Sequence, residues 1–133
     1  TANCNVTVSD TPIGSPIIAH NATAAVIMNL PSLIKFECDL EPGGKVLINS
    51  SLIEKKVSRD DVVAYYVPAN EIANEIFKIK ITVMEMLGAY LELTKAVKFE
   101  SIIEAFKKVF GPTKAHLIPL NEKALMKGAE VIK

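Results

Sequence analysis

The chain has 133 residues, half of them apolar and 23% charged, with fifteen acidic side chains balancing fifteen basic ones. That length suits one domain, residues 1–133, with a core of its own, and the composition excludes a disordered chain. No cluster of lysine and arginine offers a footprint for nucleic acid or an anionic membrane surface, and no apolar stretch approaches the roughly 18 to 20 residues of a membrane span. Residues 1–10 have neither the basic start nor the apolar segment of a secretory leader, so a cytoplasmic protein is expected.

In chain order, "TANCNVTVSD" alternates as a strand would, with Ala2, Cys4, Val6 and Val8 against Asn3, Asn5 and Thr7. "TPIGSP" (residues 11–16) reads as loop. "AAVIM" (residues 24–28) is a continuous apolar run of strand length, as found in strands buried on both faces. Pro31 suits a first helical turn, and Leu33, Ile34, Phe36 and Leu40 give a short amphipathic helix that "EPGG" (residues 41–44) stops. Residues 46–48 are the second buried run. Strand, helix and strand in so short a span favour a parallel, right-handed crossover.

"VVAYYV" (residues 62–67) is the third strand; Tyr65 and Tyr66 alternate faces, so at most one points to a site, and packing is the favoured role for both. Residues 71–77 and 81–93 then read as helices, with Ile72, Ile76, Met84, Leu87 and Leu91 at threes and fours. Phe99–Phe110 follows, with Ile102, Ile103, Phe106, Val109 and Phe110 as its stripe and Gly111-Pro112 as its stop. A last helix runs from about Asn121 to Val131 with Leu125 and Met126 inward. The fold class is α/β: a partly parallel sheet flanked by helices, and a helical C-terminal half.

Three of these runs lead to an asparagine: "AVIMN" to Asn29, "VLINSS" to Asn49 and "YYVPAN" to Asn70. In a parallel sheet all three amides lie at the carboxyl ends of the strands, the edge at which open α/β sheets bind ligands. One asparagine offers both a donor and an acceptor without charge. Two readings stay open. Asparagine is favoured in turns and at helix N-caps, and Asn29 and Asn70 each precede an expected helix. Alternatively the three amides, with Ser32, Ser50 and Ser51 beside them, line a polar crevice.

Other machinery is absent from the sequence. There is no GxGxxG or GxxxxGK[ST], and Gly43-Gly44 reads as a helix stop. There is no GxSxG elbow, no HExxH and no CxxC. Cys4 and Cys38 read as buried, reduced thiols, and "SRDD" (residues 58–61) as a solvated loop. No catalytic residue and no metal ligand set emerges from the spacing.

The order of the segments says more. "SDTPIGSPII" (9–18), "MNLPSLIKF" (28–36), "PGGKVLINSSLI" (42–53), "RDDVVAYYVPANEIANE" (59–75), "MLGAYLELT" (86–94) and "HLIPLNEKALMKGAE" (116–130) resemble the gamma subunit of the 2-oxoacid:ferredoxin oxidoreductases, a module also found as one domain of single-chain pyruvate:ferredoxin oxidoreductases. The resemblance covers nearly the whole chain. It implies that the family's N-terminal strand, glycine-rich GGQG segment and RGG-like motif would precede Thr1, so that the chain represents the C-terminal portion of a gamma domain with an exposed sheet edge.

By the same resemblance, the reaction is oxidative decarboxylation of a 2-oxoacid to its acyl-coenzyme A, with electrons passing to ferredoxin. Thiamine diphosphate, magnesium and iron–sulfur clusters would sit in partner subunits, alpha and beta with delta as a further candidate, and coenzyme A would be the co-substrate. Block similarity favours 2-oxoglutarate, then branched-chain 2-oxoacids, then pyruvate. Any site on this chain is expected at Asn29, Pro31 and Ser32, at Asn49, Ser50 and Ser51, and at Asn70, in hydrogen bonding and loop positioning. The sequence also departs from the family. Where relatives commonly read Asn-Met-Val-x-Leu-Gly, "VMEMLG" has Val83 for the asparagine and Glu85 for an apolar residue, and Phe77 stands where a glycine is expected. A free-standing ligand-binding module and a purely structural subunit are the competing readings.

Overall fold

The computed structural model describes residues 2–75 and 81–133. Its sheet is built from the three apolar runs. Strand β1 (Ala22–Ile27), β2 (Leu40–Asn49) and β3 (Val63–Val67) are all parallel, in the order β1-β2-β3. The central strand is buried on both faces, which is why its sequence is a run and not an alternation. Val46 and Ile48 point to one side, where they meet Leu33, Leu40, Ile53 and Ile27. Leu47 points to the other, where it meets Val67, Ala69, Met86 and Ala89.

Helix α1 (Leu30–Phe36) joins β1 to β2 and covers the first face. Leu33 is fully buried there, whereas Ile34, expected in the same stripe, is 61% exposed. The helix gives way at Glu37–Asp39 to a 3₁₀ turn, and Leu40 already belongs to β2. Residues 41–44 are therefore not a helix stop. Ala22 pairs with Leu40 and Ala24 with Lys45, so the four residues between bulge out of the strand. Gly43 turns the bulge at φ 80°, and its N–H donates to the Asp61 carbonyl at 2.7 Å.

The β2–β3 connection, residues 50–62, contains no helix. It is held by an ion cluster. The Glu37 carboxylate accepts from the backbone N–H of Ser58 and Arg59 at 2.5 and 2.9 Å. The Arg59 guanidinium donates to the carbonyls of Glu37 and Leu40 and pairs with Asp61 at 2.6 Å, which holds the Asp61 carboxyl below the usual carboxylate range. The segment expected as a solvated loop is thus a clamp on the end of α1. Tyr66 serves the same connection, accepting from the Val57 N–H at 3.2 Å, while Tyr65 packs on the opposite face.

Helices α2 (Ala69–Glu75), α3 (Thr82–Thr94), α4 (Phe99–Phe110) and α5 (Ile118–Ile132) complete the chain. Helix α3 lies on the second face of the sheet through Met86 and Ala89. Helix α5 starts three residues earlier than expected because Pro119 fits its first turn. Asn121 is then inside the helix, and its amide donates back to the Leu117 carbonyl at 2.7 Å. Leu125 is buried as expected, but Met126 is 56% exposed. In α4, Phe106 is buried and Ile102, Ile103 and Phe110 pack beside it, while Val109 falls off the stripe and is exposed. The expectations for Ile76 and Phe77 lie outside the described residues.

Two further expectations are corrected. Residues 2–21 form no strand, and Ala2, Cys4, Val6 and Val8 are all exposed. Alternation makes a strand only when a neighbour supplies the other half of its hydrogen bonds, and among the described residues none pairs with this segment. Cys4 and Cys38 are both free and exposed, not buried. Cys4 lies in that unpaired arm, and Cys38 lies on the outer side of the 3₁₀ turn.

Candidate functional site at the carboxyl ends of the strands

Ile27 is level with Ile48, and Asn49 with Val67, so β1, β2 and β3 end along one edge of the sheet. All three asparagines lie there, yet they do different things. Asn29 is a cap: in extended conformation, φ −148°, its Oδ1 accepts from the Ser32 N–H at 3.0 Å. Pro31 occupies the first turn of α1 beside it, where no N–H is needed, and Ser32 is buried behind.

Asn49 is different. It is fully buried at the last position of β2. Its Nδ2 donates to Asn70 Oδ1 at 3.0 Å, and its Oδ1 accepts from the Ser51 N–H at 3.3 Å. Its carbonyl accepts from the N–H groups of Leu52 and Ile53, which turns the chain away from the strand. Ser50 adds an N–H bond to the Val67 carbonyl at 2.9 Å, extending the β2–β3 ladder by one rung.

Ser51 and Asn70 close the circuit. The Asn70 N–H donates to Ser51 Oγ at 3.0 Å, and the Ser51 hydroxyl donates to the Glu71 carboxylate. Asn70 is therefore not the cap of α2 but its second residue, with Ser51 acting as the acceptor for a first-turn N–H. Glu71 completes the network and was not among the candidates from the sequence. Its position in the first turn of a helix, one residue after Asn70, is the signal that could have found it.

The edge thus divides into a capped helix start (Asn29, Pro31, Ser32) and a locked loop frame (Asn49, Ser51, Asn70, Glu71, with Ser50 on the ladder). No hydrogen bond among the described side chains links the two groups. The frame can hold loops and present amides to a neighbour. Its hydroxyl is engaged both as donor and acceptor, and it includes one carboxylate and no cation. That donor set does not fit a diphosphate-bearing group such as thiamine diphosphate, whose charge would meet Glu71.

The family model for pyruvate ferredoxin/flavodoxin oxidoreductase matches residues 1–131, and the chain belongs to that family. Among curated proteins it is 34% identical over 131 residues to ketoisovalerate oxidoreductase subunit VorA of Methanothermobacter thermautotrophicus, covering 98% of this chain and 27% of that protein. It is 30% identical over 110 residues to the common gamma subunit of the pyruvate/ketoisovalerate oxidoreductases of Thermococcus litoralis, covering 77% of this chain and 59% of that one. The chain therefore spans less than two thirds of the length of either relative.

Solved structures agree on the fold. The gamma subunit of a keto/oxoacid ferredoxin oxidoreductase from Geobacter sulfurreducens superposes with a TM-score of 0.72 at 24% identity, over 83% of this chain and 63% of that chain. The 2-oxoglutarate:ferredoxin oxidoreductase of Magnetococcus marinus, solved with 2-oxoglutarate, coenzyme A and succinyl-CoA bound, gives a TM-score of 0.72 at 19% identity, over 83% of this chain and 19% of that chain. The α/β class and the parallel sheet expected from the sequence are those of gamma-subunit structures.

Proposed function

We propose that residues 1–133 are a single domain, the C-terminal portion of a gamma domain, in a multi-subunit 2-oxoacid:ferredoxin oxidoreductase. The observation that carries this reading is the family match over residues 1–131, supported by a curated relative that is itself a gamma subunit. The complex decarboxylates a 2-oxoacid oxidatively to its acyl-coenzyme A and passes electrons to ferredoxin in the cytoplasm. Alpha and beta subunits, with delta as a further candidate, carry thiamine diphosphate, magnesium and the iron–sulfur clusters; coenzyme A is the co-substrate. Thiamine diphosphate supplies the carbanion chemistry when bound there.

The part of this chain is support. The frame of Asn49, Ser50, Ser51 and Asn70 fixes two loops at the sheet edge, and Asn29, Pro31 and Ser32 fix a third. We assign none of these residues as a general acid, base or nucleophile; the side chains of Asn49, Ser51 and Asn70 are engaged with one another and with Glu71. Their role is to hold backbone and amide groups at the surface that faces the rest of the enzyme.

For the substrate we favour 2-oxoglutarate, on the similarity of the sequence blocks and the bound acid of the Magnetococcus marinus neighbour. A branched-chain 2-oxoacid is the second reading, because both curated relatives are named for ketoisovalerate. The test is coenzyme A-dependent reduction of a viologen dye by the purified complex with 2-oxoglutarate, ketoisovalerate and pyruvate in turn. A kcat/KM highest for 2-oxoglutarate supports the first choice, and one highest for ketoisovalerate replaces it with the second. No reduction with any 2-oxoacid by a complex that retains its cofactors contradicts the activity itself.

A further inference from the structure

Among the described residues, Glu85 is the single charged side chain that is buried, and its exposure is zero. Neither carboxyl oxygen has a hydrogen-bond partner there. It sits at the tightest point of the fold. A Cβ added to Gly128 of α5 would lie 1.8 Å from the Glu85 carbonyl oxygen, and one added to Gly88, a turn further along α3, would lie 1.9 Å from that of Leu125. The two helices run antiparallel and touch backbone to backbone, so the crossing has no slack.

Among the described residues, the surroundings give an ionised carboxylate nothing to pair with. From α5 the residue at the contact is Gly128, and the buried residues around it, Ala124, Leu125 and Ala129, are uncharged. Asn121 has its amide on the Leu117 carbonyl. Toward the sheet, Leu47 and Val67 pack with Met86 and Ala89. From α2 the charge that acts on Glu85 is Glu75, of the same sign, and no described cation acts on it. A bare carboxylate in such a place is strongly disfavoured unless water reaches it.

We propose that Glu85 is a proton-operated latch on the α3–α5 crossing: as the neutral acid it lets the two helices close, and on losing its proton it opens them locally and pushes against Glu75 on α2. Helix α2 is two turns long, and its first turn carries Asn70 and Glu71 of the strand-end frame. Opening at one end of α2 is thereby linked to the loops at the other. The importance of that link for activity rests on the gamma-subunit reading; the latch itself does not.

Burial first, and the Glu75 charge second, raise the Glu85 pKa from 4.5 to about 7. A folded-state pKa above the unfolded value means that the folded form binds the proton more tightly. Its stabilising effect is full below about pH 4.5 and is lost as pH rises through about 7. The latch therefore works between about pH 4.5 and about pH 7.

The test is thermal unfolding of the purified full-length protein and its Glu85→Gln and Glu75→Gln variants from pH 5 to 8.5, with amide hydrogen exchange at pH 6 and 8 corrected for intrinsic rates. The unmodified chain is expected to lose roughly 5–10 °C in Tm as pH rises to about 7, then level off. Protection in α3, α5 and α2 falls over the same range. Glu85→Gln removes the loss and is the more stable protein at pH 8; Glu75→Gln moves the transition to lower pH. Parallel pH curves for the unmodified chain and Glu85→Gln would overturn the latch, and unchanged exchange in α2 would overturn its link to the loops. Should Glu85→Gln not fold, carboxyl ¹³C titration of Glu85 in the unmodified chain decides: a midpoint near neutrality supports the latch, and an ordinary carboxylate midpoint overturns it. None of these readouts uses turnover, so their failure is distinguishable from failure of the enzyme assignment.

Discussion

The Asn49 side-chain amide donates to the Asn70 amide oxygen over 3.0 Å, tying the last residue of β2 to the first turn of α2. Because Asn49 is fully buried and also accepts from the Ser51 N–H, one side chain sets the course of two loops. Replacing Asn49 by Ala leaves the Ser51 N–H and the Asn70 oxygen without partners and opens a small void. The expected loss is about 2–3 kcal/mol, read as a shift of the denaturant midpoint with an unchanged m-value. A loss below about 0.5 kcal/mol would show that the frame is not held by this residue.

Asn29 has the lesser structural task. Asn29→Ala removes one N-cap bond and should cost about 1 kcal/mol. Assembly with partner subunits is expected to survive, which makes this the variant for testing the edge in the enzyme. The gamma-subunit reading predicts lower turnover with intact assembly, measured by dye reduction alongside native mass. Unchanged turnover would make this part of the edge scaffold.

Gly88 and Gly128 admit no side chain. The added Cβ would meet backbone atoms, which cannot rotate out of the way, and not the end of a flexible side chain. Gly88→Ala and Gly128→Ala should each cost several kcal/mol, more than the general gain in helix propensity from Gly to Ala returns. Circular dichroism melts are the measurement. Gly14, with nothing near its Cβ position, is the control and should tolerate Ala within about 0.5 kcal/mol.

The Glu37–Arg59 clamp holds a thirteen-residue connection with no helix in it, residues 50–62. Glu37→Ala deprives the Ser58 and Arg59 N–H groups of their acceptor. Limited proteolysis should then cut within residues 54–62 several-fold faster, at little change in global stability. Unaltered cleavage would assign the order of this loop to Ile53 and Tyr66 packing alone.

The sheet and α4 were legible in the sequence because their signals are local. Continuous apolar runs that end in turn residues report strands buried on both faces, and Phe99–Phe110 carries a stripe and a Gly-Pro stop. The strand-end edge followed from the same logic, since parallel strands put all three asparagines on one side. What each asparagine does was not legible: capping by Asn29 is local, but the Asn49–Asn70 bond joins residues 21 apart in the chain. The alternating segment 2–8 fails as a strand for the same reason, its partner being a matter of tertiary pairing. Residues 41–44 misled because a left-handed glycine serves a helix stop and a strand bulge equally well. Glu85 lay at a position where an apolar residue was expected by resemblance, and the burial kept that expectation while the side chain did not.

The most direct test of the central claim is anoxic affinity purification of the tagged protein from its native cells, followed by analysis of what accompanies it. The gamma-subunit account predicts co-purifying subunits of the same oxidoreductase, with thiamine diphosphate, iron and acid-labile sulfide in the isolated complex. A lone, colourless chain under gentle anoxic conditions, with no thiamine diphosphate and no iron, would contradict it.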